Sequence, residues 1–292
     1  MSAETLQLIV SGLSTGSIYG LIALGFNVIF KSTDALNFAQ GEWVMMGGMV
    51  AATVYATGRF PLLAACLAAL LCVTLVGLLS DLLVMRRLRR PTPLLITLIS
   101  IGLAICTKSL VMLLLGKNPA GLPTFSGERP IRLGELSVQP QTLWIVGIAA
   151  LVMIGAHLFF ARTVLGKAMR AAAAEPEAAS LVGINPRTAM LISFGIAAAV
   201  GAVAGIIITP LTLTSFDHGT ILGFKGFSAA MLGGLGSLPG AVVGGLTLGV
   251  LEALGSGLIS SAFKDAVAFI VLLAVLFLRP EGMLGRARIE RV

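Results

Sequence analysis

The polar segment Arg162–Arg187 reads RTVLGKAMRAAAAEPEAASLVGINPR and separates two strongly apolar spans. Its alanine run favours helix, Glu175-Pro176 interrupts that run, and Gly183 is typical of a helix C-terminus. The sequence therefore predicts a helix of about two turns over Pro176–Val182. Because so short a helix is unstable alone in water, we expect another protein to hold it. We further expect this contact to drive the membrane part of the chain.

The rest of the chain has the composition of an integral membrane protein. Hydrophobic residues make up 57% of the 292 residues and charged residues 11%, against about 25% charged residues in soluble domains. Apolar runs long enough to cross a bilayer recur along the sequence and leave no room for a soluble domain. We therefore expect one transmembrane domain over residues 1–292, with no nucleic-acid partner.

Basic residues predict the orientation of the chain, because basic clusters beside apolar spans mark the cytoplasmic side of a membrane. If all basic clusters lie on the cytoplasmic side, the chain must cross the membrane an even number of times between any two of them. Three clusters occur, namely Arg86, Arg87, Arg89 and Arg90; Arg162, Lys167, Arg170 and Arg187; and Arg279, Arg286, Arg288 and Arg291.

The apolar spans are predicted near 6–30, 35–57, 61–85, 94–115, 142–161, 188–210 and 259–279, with a glycine-rich segment at 224–258. The even number of crossings between the second and third basic clusters requires 224–258 to enter and leave from the same side or to cross twice. Its limb Phe224–Leu232 is too short to span a bilayer. We favour a re-entrant or broken-helix pair that enters from outside and turns at Gly233–Gly240.

The predicted fold is therefore an all-α, polytopic membrane helical bundle. It has about seven full crossings plus the re-entrant or broken-helix pair near 224–258, or eight or nine spans if that pair is counted differently. The N-terminus lies outside and the C-terminus inside. Segment 162–187 is then a cytoplasmic coupling segment, and 116–141 is the main external loop.

Two glycine trios repeat at four-residue spacing. Each trio is expected to form a smooth strip on one helix face, where another backbone can approach closely. Packing within this chain is the favoured interpretation, although a subunit interface would use the same surface. The trios are Gly12, Gly16 and Gly20, and Gly236, Gly240 and Gly244.

Polar residues inside the spans are candidates for function, because they are costly there. Asn37, Gln40 and Glu42 open the second span. They either cap a broken helix or line a translocation path, and the sequence favours neither. Lys108 and Glu252 also lie in apolar spans, where an ion pair between them is conceivable but has no argument from spacing.

Patterns typical of enzymes are nearly absent from the sequence. The G-x-S-x-G match at Gly12–Gly16 lies inside an apolar helix instead of a strand-to-helix turn. His157 and His218 belong to no metal-ligand pattern, and no P-loop pattern occurs. We therefore expect a chain that is not an enzyme and binds no metal or cofactor itself. Energy for active transport would come from another subunit.

Five stretches of the chain form a specific pattern through their order and spacing, namely GLIALG at 20–25, LNFAQGE at 36–42, ASLVGIN at 179–185, LGGLGSLPG at 232–240 and RPEGMLG at 279–285. Together they resemble the membrane permease subunits of the branched-chain amino-acid branch of bacterial ABC importers, of the LivH type. The resemblance covers nearly the whole chain, from about Gly12 to Gly285.

The resemblance implies a multi-pass subunit of the bacterial inner membrane. Its partners would be a second, homologous permease, two cytoplasmic ATPase subunits that bind the ATP, and a periplasmic amino-acid-binding protein. In such importers a short cytoplasmic helix between spans fits a groove on the ATPase. By position, this role carries over to Glu175, Pro176, Ala178, Ala179, Leu181, Gly183, Ile184 and Asn185.

The resulting hypothesis is a permease subunit that imports branched-chain or other apolar amino acids by ATP-driven alternating access. One alternative is an ATPase-independent secondary transporter or channel for a small polar solute. That alternative requires intramembrane ion sites, and Glu42, Lys108 and Glu252 form no evident relay. Another is the same type of importer with urea, an amide or an aromatic acid as substrate.

Overall fold

The computed structural model describes residues 3–88, 92–127, 129–133, 136–258, 260, 264–279 and 281–285. Arg89, Arg90, Arg286, Arg288 and Arg291 of the basic clusters lie outside these residues. The described helices are α1 (Ala3–Thr33), α2 (Gln40–Ala56), α3 (Leu62–Leu83), α4 (Pro93–Leu115), α5 (Pro140–Arg162), α6 (Val164–Ala174), α7 (Pro176–Leu181), α8 (Pro186–Thr212), α9 (His218–Gly233), α10 (Leu238–Leu258) and α11 (Lys264–Leu278), with a short 3-10 turn at Met85–Arg87.

Every predicted apolar region contains a helix, so the multi-pass helical bundle is confirmed. Six of the described helices are long and apolar enough to cross a membrane, namely α1, α3, α4, α5, α8 and α10. Helices α2 and α9 have 17 and 16 residues, and α11 is a shorter apolar helix. The number of full crossings and the sidedness of the termini stay predictions.

A short β-hairpin in the predicted external loop is a feature that the sequence analysis missed. Strands β1 (Ile131–Leu133) and β2 (Leu136–Val138) pair antiparallel. Their IRL and LSV sequences alternate apolar and polar residues, as half-buried strands do. The side-chain amide of Gln7 donates to the Ser137 carbonyl at 2.7 Å and accepts from the Ser137 N–H at 3.2 Å. The hairpin is therefore attached to the first turns of α1.

Helix α1 lies at the centre of the bundle, in contact with α5, α8, α9 and α10. Its residues 16–29 are all buried, which fits a helix that is apolar on every side. In contrast, α3, α4 and α5 expose many large apolar side chains, including Leu71, Leu113 and Leu151. Such outward apolar faces suit helices that border a bilayer.

Glycines bring α1 and α10 into backbone contact. A Cβ atom at Gly12 would lie 2.8 Å from the Cα of Val250, and one at Gly16 would lie 2.8 Å from the carbonyl oxygen of Gly245. On its other side, α10 packs against the end of α9 through Gly240 and Gly244. The first trio and these two glycines therefore contact helices of this chain, with Gly20 next to Met153 and Ala241.

Gly236 does not lie on the helix face formed by Gly240 and Gly244. The predicted strip of three glycines is therefore wrong at Gly236. The reason is that α10 begins only at Leu238, and Gly236 lies in the preceding turn. Its φ of +76° is in the left-handed region that favours glycine.

Helices α9 and α10 form a hairpin whose turn is held by α1. The Asn27 side chain of α1 donates to the Ser237 carbonyl at 2.9 Å and accepts from the Gly236 N–H at 3.1 Å. The first limb is longer than predicted, because α9 begins at His218 and not at Phe224. The Asn27 side chain thus satisfies two non-helical backbone groups of the turn.

The turn lies at the end of the bundle that carries Lys31 and Arg170. These two residues, Gly236 and Leu284 line one cavity. The N–H of Leu284 also donates to the Gly233 carbonyl at 2.9 Å. The second basic cluster and the segment that follows Arg279 therefore lie at the same end of the molecule. Such a placement is needed if all basic clusters are on one side of the membrane.

Candidate functional site

Helix α6 attaches the first part of the predicted coupling segment to the bundle. The hydroxyl of Thr163 accepts a hydrogen bond from the Gly166 N–H at 2.9 Å, which caps the first turn of α6. Gly166 lies against the backbone of Phe159 and Phe160 at the end of α5. Met169 and Ala172 are buried. One face of α6 is therefore fixed to the helical core.

Helix α7 has the capped structure that its sequence predicts and ends one residue before the predicted boundary. Pro176 occupies its first position, where a missing N–H costs nothing. At its end, the N–H of Gly183 donates to the Ser180 carbonyl at 3.1 Å, and that of Ile184 donates to the Ala179 carbonyl at 3.0 Å. Gly183 has a φ of +84°, which this pair of bonds requires.

The coupling segment is partly supported by its own chain. Ala179 is 4% exposed, and α7 contacts α6 and α8. The expectation that another protein must hold α7 is therefore wrong for this face. Sequence reasoning missed the support because it depends on the packing of neighbouring helices.

The opposite face of α7 carries two exposed apolar side chains, which we call the α7 tip. Leu181 is 88% exposed and Val182 is 75% exposed. Ile184 is half-buried, and the Asn185 side chain accepts from the Arg187 N–H at 3.0 Å, which caps α8. Six of the eight predicted docking residues are exposed, namely Glu175, Pro176, Ala178, Leu181, Gly183 and Asn185.

The second predicted site begins with non-helical backbone between α1 and α2. The N–H of Leu36 donates to the Thr97 hydroxyl at 3.2 Å, and that of Phe38 donates to the Ser100 hydroxyl at 2.9 Å. The Asn37 side-chain oxygen accepts from the Ala39 N–H at 3.2 Å. Two hydroxyls of α4 and one local side chain therefore satisfy backbone that would otherwise be costly in a membrane.

Gln40 connects the start of α2 to the middle of α8. Its side chain is fully buried, and its Nε2 donates to the Ala197 carbonyl at 3.0 Å. The same side chain lies against Gly25 of α1 and Gly201 of α8. Asn37 and Gln40 thus bind backbone groups, but neither caps α2, because its N-cap residue Ala39 has no side-chain hydrogen bond. The choice between capping and path lining stays a prediction.

Glu42 has a different environment from Asn37 and Gln40. It is 3% exposed, and its Oε1 accepts from the Thr220 hydroxyl at 2.9 Å. Its Oε2 has no hydrogen-bond partner among the described residues. Glu42 lines a cavity of about 390 Å³ whose other lining residues come mainly from α4 and α9.

Lys108 of α4 lines the same cavity as Glu42. Its ammonium lies 5.8 Å from the centroid of the Phe216 ring, within the range of a cation–π interaction. Lys108 and Glu42 form no salt bridge with each other among the described contacts. The structure therefore places two opposite charges around one cavity without direct pairing.

A buried ion pair between α9 and α10 is a feature that sequence reasoning did not identify. The Lys225 ammonium lies 2.8 Å from a carboxylate oxygen of Glu252 and 2.7 Å from one of Asp265. The conceivable pairing of Glu252 with Lys108 is therefore wrong. A signal was present, because Lys225 and Glu252 are the only acidic or basic residues of the stretch 219–258.

Comparisons with known proteins cover almost the whole chain. A family model described as branched-chain amino acid transport system, permease component, matches residues 8–276. The chain is 35% identical to the high-affinity branched-chain amino acid transport system permease protein BraD of Pseudomonas aeruginosa, over 98% of both chains. It is 33% identical to the corresponding protein LivH of Escherichia coli, over 98% of this chain and 97% of that one.

Similarity extends to an archaeal protein and to a solved structure. A probable branched-chain amino acid transport permease protein, LivH of Methanocaldococcus jannaschii, is 28% identical over 91% of this chain and 88% of its own. A chain from PsaBC of Streptococcus pneumoniae in complex with Fab superposes with a TM-score of 0.50 and 12% identity, covering 93% of this chain and 91% of that chain. At that identity the superposition supports the fold alone.

Proposed function

Because the chain belongs to the family of branched-chain amino acid transport system permease components, we propose that it is the membrane permease subunit of an ABC importer. Its substrates are branched-chain or other apolar amino acids, which it moves across the bacterial inner membrane by ATP-driven alternating access. The observation that carries the coupling part of this proposal is the exposed apolar α7 tip.

The proposed importer contains a second, homologous permease, two cytoplasmic ATPases and a periplasmic amino-acid-binding protein. ATP binds to the ATPases, since the sequence of this chain has no P-loop pattern. The chain itself is a transporter subunit and not an enzyme. Its task is to convert movement of the ATPases into movement of its helices.

The α7 tip suits a protein groove because its exposed side chains are apolar and its backbone is held in place. Burying one leucine side chain stabilises a contact by about 1.5–3 kcal/mol. Ala179 and the capping bonds of Gly183 fix the orientation of Leu181. A rigid apolar projection on a segment rich in polar residues is a typical docking feature.

Movement of α7 has a structural route into the membrane. Helix α8 begins at Pro186, directly after the α7 segment, and contacts α1, α2 and α3. Helices α8 and α2 are in backbone contact, since a Cβ at Gly47 would lie 2.6 Å from the Cα of Ala202. Gln40 adds a hydrogen bond to Ala197. We infer that α8 and α2 move together when α7 is displaced.

The test of this proposal is Leu181→Asp, with Leu181→Met as the matched apolar control. We expect Leu181→Asp to insert normally, to lose co-purification with the ATPases and to lose ATP-dependent leucine uptake in proteoliposomes. Leu181→Met should retain both. Normal uptake by Leu181→Asp would refute docking through the α7 tip. Uptake by the wild-type chain without any ATPase would instead favour a secondary transporter.

A further inference from the structure

The cavity beside Glu42 is lined by one acidic and one basic side chain among apolar residues. The proposed importer function does not by itself explain this pair of charges. Helix α2 contacts both α4 and α9, and the cavity lies between those two helices with α2 behind it. We call this cavity the charged cleft. It is lined by Phe38, Glu42, Ile101, Ala104, Ile105, Lys108, Thr220, Gly223 and Phe224.

The charged cleft combines one anion, one cation and an otherwise apolar wall. Glu42 is nearly fully buried, and its Oε2 has no partner among the described residues. Lys108 lines the cleft through the second half of α4. An ionised group inside a membrane is costly unless it is paired or serves a transported solute. Since Glu42 and Lys108 share the cleft without a salt bridge, each retains capacity to bind a ligand.

Two contacts of Glu42 offset part of the cost of burying its carboxylate. The Thr220 hydroxyl donates to its Oε1, and its carboxylate lies against Gly219 in the first turn of α9. The N-terminus of a helix stabilises a nearby negative charge. The Glu42 carboxylate can therefore accept a hydrogen bond from a cationic group in the charged cleft through its Oε2.

The location of the charged cleft agrees with a transport path. Gln40, two residues before Glu42, bonds to Ala197, which lies near the middle of α8. The cleft is therefore near the middle of the bundle and away from its two ends. Transporter substrate sites typically lie at this depth. Its volume, about 390 Å³, fits the lower end of small-molecule sites, about 300–1,000 Å³.

We propose that the charged cleft binds the transported amino acid as a zwitterion, with its ammonium group at Glu42 and its carboxylate at Lys108. The apolar side chain then lies against Ile101, Ile105 and Phe224. This inference rests on the proposed importer function and adds a binding site for its substrate.

The two charges separate this substrate class from the alternatives. Urea and short amides carry no net charge at either end, so both Glu42 and Lys108 would lack an ionic partner. An aromatic acid without an amino group uses only Lys108. An ethanolamine lipid headgroup offers the same pair of charges, but the depth of the cleft favours a free solute over a headgroup at the membrane surface.

The experiment uses the complete importer in phosphatidylcholine nanodiscs, without nucleotide or binding protein. Binding of radiolabelled leucine is measured in competition with isoamylamine and 4-methylpentanoate, which have the same apolar chain with only the ammonium or only the carboxylate. We expect leucine to bind at least about tenfold more tightly than either analogue, because each charged contact contributes about one order of magnitude in affinity.

Variants test the assignment of each charge. Lys108→Gln should weaken leucine and 4-methylpentanoate by about tenfold while leaving isoamylamine unchanged, and Glu42→Gln should show the opposite selectivity. Lys117→Gln, in the exposed loop after α4, is the matched control and should bind leucine normally. If Glu42→Gln fails to assemble, the Lys108→Gln pattern decides alone, because Lys108 is only half-buried.

Three outcomes would overturn the site. They are equal affinity for leucine and both analogues, equal weakening of all three ligands by Lys108→Gln, and loss of leucine binding when ethanolamine lipids are added. ATP-dependent leucine uptake is measured with the same proteins. Uptake that is normal in the wild type and in both variants would refute the site and leave the importer function intact. The expected binding pattern without ATP-dependent uptake would refute the function and leave the site intact.

Discussion

Lys225 shows how a single residue can determine the stability of the helical hairpin α9–α10. Its ammonium is 2.8 Å from Glu252 on α10 and 2.7 Å from Asp265 on α11. It also lies 5.6 Å from the centroid of the Tyr19 ring on α1. One cation therefore contacts side chains of three other helices, and its removal leaves a carboxylate deep in the bundle without that cation.

We expect Lys225→Met to destabilise the protein by about 3–5 kcal/mol, because breaking a buried ion pair leaves an uncompensated charge. The double variant Lys225→Met, Glu252→Met should be more stable than Lys225→Met alone, since it removes both charges. Thermal unfolding of the purified protein measures both effects.

Asp265→Asn is the control for this pair, because the Asp265 side chain is 63% exposed and exposed ion pairs contribute little. Its melting temperature should stay near that of the wild type. A double variant that is less stable than Lys225→Met would contradict the assignment of a mainly electrostatic cost.

The start and end of helix α7 could be predicted from its own residues. Pro176 and Gly183 are local signals for the start and end of a helix, and the structure places both at those positions. The support of Ala179 by α6 and α8 is a tertiary effect, so the segment itself contains no sign of it. The exposure of Leu181 likewise depends on which face α6 and α8 cover.

The start of α2 shows the opposite case, in which local signals mislead. The apolar run predicts a span from residue 35, whereas α2 begins at Gln40. The preceding backbone is stabilised by Thr97 and Ser100, which lie about sixty residues later in the chain. The pairing of Lys225 with Glu252 escaped sequence reasoning for a similar reason, because it depends on how two helices pack after a turn.

Gly183 provides the prediction at the scale of this element. We expect Gly183→Val to lower ATP-dependent uptake strongly while membrane insertion stays normal. The φ of +84° is strained for a β-branched residue, by about 1–3 kcal/mol, so the end of α7 should unwind and displace Leu181. The measurement is the ratio of leucine transported to ATP hydrolysed.

Gly183→Asn is the matched control, because asparagine tolerates the left-handed conformation better than other non-glycine residues. It should retain most of the uptake. Equal loss in Gly183→Asn and Gly183→Val would mean that contact with the glycine itself matters, and not the conformation it permits.

The molecule as a whole consists of a glycine-packed centre and an apolar periphery. Gly16 of α1 and Gly245 of α10 lie at a backbone contact that admits no side chain. Around this centre, α3, α4 and α5 present large apolar side chains outward. In a bilayer, association of helices depends on such close packing, since lipid is as apolar as leucine. The centre and the periphery should therefore respond very differently to the same substitution.

We expect Gly16→Ile to abolish the folded protein and Gly147→Ile to leave it intact, although both place the same side chain on a membrane helix. A Cβ at Gly16 would lie 2.8 Å from the Gly245 carbonyl oxygen, whereas a Cβ at Gly147 of α5 meets nothing within 4 Å. The yield of monodisperse protein and its thermal stability measure the difference. Normal folding of Gly16→Ile would show that α1 and α10 can separate. Folded Gly147→Ile that fails to assemble with the second permease would place the subunit interface on α5, a surface that is open in the single chain.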